Sequence, residues 1–244
     1  MWPILFKEIQ TVFNDLIGFL VIGLFLLLNT LFLWVLDSSF NILQAGFADL
    51  TLFFELAPWL LLLVIPALSM RSFAEEIKNG TLEILLSKPL SISAVVFGKF
   101  LGVFCVALLA LLPTLSYIYL LQILLPEAAV VDWGMLVGGY LGLLLFISML
   151  AALGIFMSSV TSQQTTAFLL SLFVGFAQFY LWGQLAGWLH SFFWHEWVAS
   201  LGMQAHYSSL NRGVLLPGDI CYFLASTLIL LLLTQYRIKK LQAQ

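Results

Sequence analysis

Six apolar runs alternate with polar breaks along the chain, over residues 17–36, 51–70, 100–124, 133–157, 165–182 and 219–236. At about 1.5 Å per helical residue, a run of about twenty crosses a hydrocarbon core of roughly 30 Å. Ahead of them Leu5, Ile9, Val12 and Leu16 recur at helical spacing, with Lys7, Glu8, Thr11, Asn14 and Asp15 largely on the other side. Pro3 suits a first helical turn. Residues 3–16 therefore predict an amphipathic helix in the membrane interface; the alternative is the frayed start of the first span. Two stretches break the pattern. Residues 71–99 are polar and carry Arg71, Lys78, Lys88, Lys99, Glu75, Glu76 and Glu83, so they belong in water. Residues 183–216 are aromatic and apolar but broken by Gly, His and Ser. They predict short helices that dip into the outer interface or pack over the bundle, sheltered by protein or water.

Details within the runs refine this picture. Pro58, Pro66 and Pro113 each remove a backbone donor and kink a helix, which makes them hinge candidates or packing features. Glu55 is expected near the outer end of the second run, wet or packed inward. The fourth run carries Gly134, Gly138, Gly139, Gly142, Ala151, Ala152 and Gly154, small residues that let helices approach closely in lipid.

Composition agrees with a membrane protein. The chain is 62% hydrophobic and 9% charged, where a soluble domain carries roughly 25% charged residues. Trp34, Trp59, Trp133, Trp182 and Tyr236 fall at predicted span ends, as an aromatic belt requires. If both termini share one side, that side holds Lys7, Arg71, Lys78, Lys88, Lys99, Arg237, Lys239 and Lys240, and Arg212 alone lies opposite. The basic side is cytoplasmic by the positive-inside rule. Cys105 and Cys221 sit inside apolar runs and read as buried small hydrophobes. The N-terminus lacks the pattern of a cleaved signal peptide, so the first span is expected to be retained.

Catalytic readings find little support. Gly98-Lys99 lacks both the upstream Gly and the following Ser or Thr of a phosphate-binding loop. His195-Glu196 begins a zinc-protease motif, but Ala199 stands where the second His belongs. His190, His195 and His206 read as interfacial histidines, with a metal or haem contact as the alternative. No acidic pair sits deep in a span, where proton-coupled transport would want one.

The 71–99 segment carries the interesting chemistry. Residues 71–78 can prolong the second span, and Asn79-Gly80 stops that helix in left-handed geometry. Thr81 can cap a second short helix, with Glu83 in its first turn where the helix dipole favours a negative charge. Leu82, Leu85 and Leu86 form an apolar stripe, Pro89 ends the helix, and Ser91 or Ser93 can start the next. Such a stripe is either a helix-in-groove docking element or a face laid on the membrane or on the protein's own helices.

The segment FAEEIKNGTLEILLSKP resembles the FAEE…GTLE…LL…P segment of ABC-2 type permeases, the membrane subunits of ATP-binding-cassette transporters. The likeness extends over nearly the whole chain. FNILQAGFADL, FFELAPWLLLLVIPALSMRSF and HYSSLNRGVLLPGDICYFL look closest to the gliding-motility-associated permease subgroup. Ile77-Lys78 departs from the consecutive basic residues common there. The resemblance implies an all-α integral membrane protein, one permease domain over 1–244, with six transmembrane helices in the manner of a type V exporter half. Residues 3–16 would be the interfacial helix, 71–99 the cytoplasmic coupling loop and 183–216 the external re-entrant segment.

The resemblance also implies roles. Phe73, Ala74, Glu75, Glu76, Gly80, Thr81, Glu83, Leu86 and Pro89 would contact the ATPase. His195, Glu196, His206 and Arg212 would belong to an external gate. ATP and Mg would be bound by two partner ATPase subunits, and this chain would hold no cofactor, metal or catalytic residue. A second permease half, identical or homologous, and a periplasmic or membrane accessory subunit would complete the assembly in the bacterial inner membrane; nucleic acid would not be a partner. The implied function is export of a substrate driven by the separate ATPase. Two alternatives differ in class. One is a mechanical anchor that passes ATPase-driven motion to a periplasmic partner without transport. The other is an intramembrane enzyme using His195 or Glu196.

Overall fold

The computed structural model describes residues 2–14, 16–44, 49–86, 91–124, 132–189 and 192–242, and its regular elements are all helical. Helix α1 (Trp2–Asn14) precedes α2 (Leu16–Thr30), which ends in a π turn over Leu31–Val35. Next come α3 (Thr51–Ser69), the short α4 (Ala74–Lys78) and α5 (Thr81–Leu86), then α6 (Ile92–Leu111) and α7 (Ser116–Leu124). The long α8 (Trp133–Val160) is followed by α9 (Gln164–Phe176), whose helix runs on through a π turn into α10 (Trp182–Gly187). The short α11 (Phe192–Ala199) and α12 (Met203–Asn211) lead to α13 (Pro217–Gln242).

Among the described residues, six helical stretches are long and apolar enough to cross a membrane. Several are longer than the sequence reading, and two of these extensions move residues between regions. The third begins at Ile92, so Lys99 lies inside a helix and not in a watery loop. The fifth reaches Gly187, which takes residues 183–187 out of the external segment. Local chemistry sets several starts. Ser91 accepts from Ala94 N–H at 3.3 Å to begin α6, and Asp132 accepts from Met135 N–H at 3.1 Å to begin α8. Each side-chain oxygen satisfies a donor that the first helical turn leaves orphaned.

α8 is the axis of the bundle, packed by α3, α6, α9, α12 and α13. Its glycines make this possible. A Cβ at Gly138 would lie 2.7 Å from both Leu210 O and Gly213 Cα, and one at Gly139 would lie 2.6 Å from the Phe54 ring. The outer helices are different: α8's apolar window is 67% buried, but those of the first, fifth and sixth spans are 22%, 22% and 28% buried. Their large apolar faces suit lipid or another membrane helix.

The three prolines have different surroundings. Pro58 and Pro66 are buried inside an unbroken α3. Pro58 has no N–H for the carbonyl of Phe54, four residues earlier. Tyr207 supplies the missing donor: its phenol bonds Phe54 O at 2.7 Å and so ties α12 to α3. Burial first, and the nearby Glu55 charge second, push this phenol well above its ordinary value. The bond's contribution is therefore fully present below about pH 10 and is lost as pH rises through the raised value. Pro113 instead lies in the 3₁₀ turn Leu112–Leu115, where the third span breaks between α6 and α7.

Tyr207→Phe should lower stability by about 1–3 kcal/mol, because it leaves the Phe54 carbonyl buried without a donor. Gly138→Val should cost at least as much by forcing α8 off the turn at Gly213. Thermal unfolding in detergent measures both. Gly23→Ala is the control, since nothing lies within 4 Å of the added carbon.

Candidate functional site

The site is built where α1 crosses the start of α6 beneath the turn joining α3 to α4. A Cβ at Gly102 would lie 2.6 Å from Glu8 Cβ, so this glycine lets α1 rest directly on α6. The crossing brings Glu8 to Lys99. The Lys99 side chain is 1% exposed. Its ammonium pairs with Glu8 Oε1 at 2.8 Å and Glu76 Oε1 at 3.0 Å, and donates to Ser72 O at 2.5 Å. The ammonium also lies 4.9 Å from the centroid of the fully buried Phe73 ring. An unpaired ammonium removed from water would be strongly unfavourable. Here the carboxylates, carbonyl and ring face replace the water. Lys7, on the exposed face of α1, shares Glu76 at 3.3 Å.

Ser158, in the last turn of α8, holds the same turn from the other side. Its Oγ accepts from the N–H groups of Phe73 and Ala74, each at 3.0 Å, and donates to Met70 O at 3.0 Å. A hydroxyl has one donor and two acceptor sites, and all are used. The start of α4 is thus capped from a distant helix, not by its own N-cap side chain. Lys99, Glu8 and Ser158 were not among the candidate site residues from sequence. An isolated Lys in a polar stretch and a Ser at a helix end carry no local mark of burial.

The predicted ATPase-contacting residues divide into two groups. Phe73 and Ala74 are buried, and Glu76 is largely enclosed by the lysines. Leu82 is buried, and half-buried Leu85 packs on the core. Leu82 and Leu85 of the apolar stripe therefore lie on the protein's own helices, and the Leu86 side chain lies outside what the structure describes. Gly80, Thr81 and Glu83 are exposed, as are Lys78 and Asn79, which the sequence reading left out of this site. Glu75 is partly exposed. Gly80 turns the chain at φ +66, a left-handed geometry that glycine adopts without steric cost. Thr81 reaches Glu76 O at 3.5 Å. Leu86 ends α5, and Pro89 lies outside the described residues.

The external candidates do not form one cluster. His195 and Glu196 are exposed on α11, and His190 lies outside the described residues. His206 is clamped: Nδ1 lies 2.6 Å from Asp219 Oδ1, Nε2 lies 2.8 Å from Ser200 O, and the ring stacks on Tyr222 at 4.0 Å. Ser209 Oγ donates to the other Asp219 oxygen. This pairing fastens α12 to the start of α13. Arg212 is exposed beyond α12.

Lys99→Met should destabilise the protein by about 3–5 kcal/mol, because Glu8 and Glu76 keep their charges without their buried partner. Lys7→Met should cost no more than about 1 kcal/mol, since that lysine side chain is 62% exposed. Thermal unfolding of the two variants in one detergent measures the difference.

No curated protein matches the chain. A family profile described as ABC-2 family transporter protein matches residues 2–240. An ABC-2 permease works with an ABC ATPase. The all-helical bundle with its six candidate spans is consistent with that match, and the chain belongs to the ABC-2 family of transporter proteins as a multi-pass membrane permease subunit.

Proposed function

We propose that the end bearing α4 and α5 faces the cytoplasm and docks the ATPase, and that this permease half couples ATP hydrolysis to export. The observation that carries the reading is the division just described. Lys78, Asn79, Gly80, Thr81 and Glu83 form an exposed tip, and the residues beneath them are tied to three other helices. A docking element needs both properties. The tip must be free to enter a groove, and its base must be stiff enough to pass on the movement. Closure of two ATPase subunits on ATP and Mg would push α4 and α5. Ser158 and Lys99 would transmit that push to α8, α6 and α1 as rigid-body motion. Pro113, at the break between α6 and α7, is the best-placed hinge. Pro58 and Pro66 lie in an unbroken helix.

In this reading both termini are cytoplasmic in a bacterial inner membrane, and α11 and α12 form the external segment with His195, Glu196, His206 and Arg212. The weakly buried first, fifth and sixth spans meet a second permease half, identical or homologous. The sparse charge of the bundle favours a lipid-like, amphiphilic or polypeptide cargo. The FAEEIKNGTLE segment supports kinship with the gliding-motility-associated subgroup. A mechanical anchor that moves a periplasmic partner would use the same tip. Substrate-stimulated ATPase activity in reconstituted vesicles supports transport, and its absence supports the anchor.

Affinity purification from native membranes, followed by mass spectrometry, tests the docking. The wild type should bring down an ABC ATPase. Joint reversal of the two exposed charges, Lys78→Glu with Glu83→Arg, should cut its recovery about tenfold or more, since like charges facing each other cost several kcal/mol. The melting temperature should stay unchanged. Full recovery with the double variant removes the tip from the interface. Glu76→Arg is a poorer test, because the new cation would face Lys7 and Lys99 and disturb the fold itself.

A further inference from the structure

At the end of the bundle away from α4 and α5, a cavity of about 300 Å³ opens between α3, α12 and the π turn after α9. Glu55, Trp59, Phe179, Asn211 and Arg212 contribute to its wall. Glu55 is the informative residue. It lies just over one turn into α3, and it is exposed. A carboxylate within a span is costly and is ordinarily found facing a partner or a wet cavity. The ion pairs seen among the described residues join Lys7 to Glu76, Lys99 to Glu8 and Glu76, and His206 to Asp219, and none uses Glu55.

Three further features define what would fit. Trp59 is held rigidly, edge-to-face with Phe179 at 5.1 Å and beside Phe176 and Tyr180, so the cavity has a fixed aromatic wall. Asn211, 8% exposed, adds a polar residue to the same wall. Arg212 borders the same cavity but does not pair with Glu55 there. Opposite charges that line one space without closing on each other suit a ligand with the reverse arrangement of charge.

We propose that this cavity binds a zwitterionic group containing a protonated primary amine. The ammonium sits between Glu55 and the Trp59 face, and the ligand's anionic group meets Arg212. A primary amine is preferred to a quaternary one because a carboxylate calls for N–H donors, which a quaternary ammonium lacks. The aromatic face adds cation–π attraction. Two sources share this chemistry, the headgroup of an aminophospholipid and a soluble phosphoethanolamine-like zwitterion. The site needs neither nucleotide nor ATPase, so its failure and failure of the docking reading are distinguishable.

Native mass spectrometry of the purified, delipidated full chain tests the proposal with phosphatidylethanolamine, phosphatidylcholine, phosphatidylglycerol and free phosphoethanolamine as probes. Phosphatidylethanolamine should be retained at least fivefold better than the other two lipids. Glu55→Gln should bring its retention down to the phosphatidylcholine level. Arg212→Gln, an exposed change that leaves the fold alone, should lower it about threefold and covers the case in which the Glu55 variant does not fold. Competition by free phosphoethanolamine assigns the site to a soluble zwitterion as well; binding of the lipid alone assigns it to the headgroup. Both results support the proposal. Equal retention of the three lipids by the wild type overturns it. So does phosphatidylethanolamine retention that neither variant changes.

Discussion

Lys99 carries a positive charge into a helix bundle, and the elements around it are arranged to replace the water it has left. Glu8 comes from α1, Glu76 from α4, and Ser72 and Phe73 from the turn between α3 and α4. Removing any of them leaves a charge or a dipole without its counterpart beside an ammonium that is only 1% exposed. The ammonium therefore fixes more than a contact. It sets where the N-terminal helix lies, how α3 ends and how α4 is angled. Ser158 reinforces the last two from α8 through the backbone itself.

The same requirement shapes the far end. Pro58 frees a carbonyl inside α3, and Tyr207 takes it. The start of α13 carries Asp219, which is matched by His206 and Ser209 of α12. A protein that has a bilayer for solvent must satisfy interior polar groups from within. Each of these bonds joins one helix to another, Tyr207 to a segment 153 residues away and Asp219 to the helix just before its own, so the polar groups that look like defects in an apolar chain become its fastenings. The apolar faces, by contrast, have little to say about which helix meets which, because lipid is nearly as good a neighbour as another helix.

Between the two fastened ends runs α8, close-packed through its glycines. In the proposed coupling, a movement applied at the α4–α5 tip would reach this axis through Ser158 and the N-terminal helix through Glu76 and Lys99. Such a route suits rigid displacement of packed helices. The ABC-2 family transporter profile places the chain among proteins that work with an ATPase.

The number of candidate spans and the helix ahead of them were legible from the hydrophobic runs and their spacing. These features depend on transfer from water to lipid, which is a property of composition in a window. The start of the third span was not legible, because Lys99 looks like a loop residue until Glu8 and Glu76 are known to surround it. Nor was the fate of the Leu82 and Leu85 stripe, since an amphipathic helix reads alike whether its apolar face meets a partner, a membrane or its own core. Glu55 shows the same limit: the sequence left it wet or packed inward, and only the packing of α12 against α3 puts it on a cavity. The sequence by itself determined how many segments are long and apolar enough to leave water. The tertiary structure alone decided which polar groups meet, because those pairings depend on distances between residues remote along the chain.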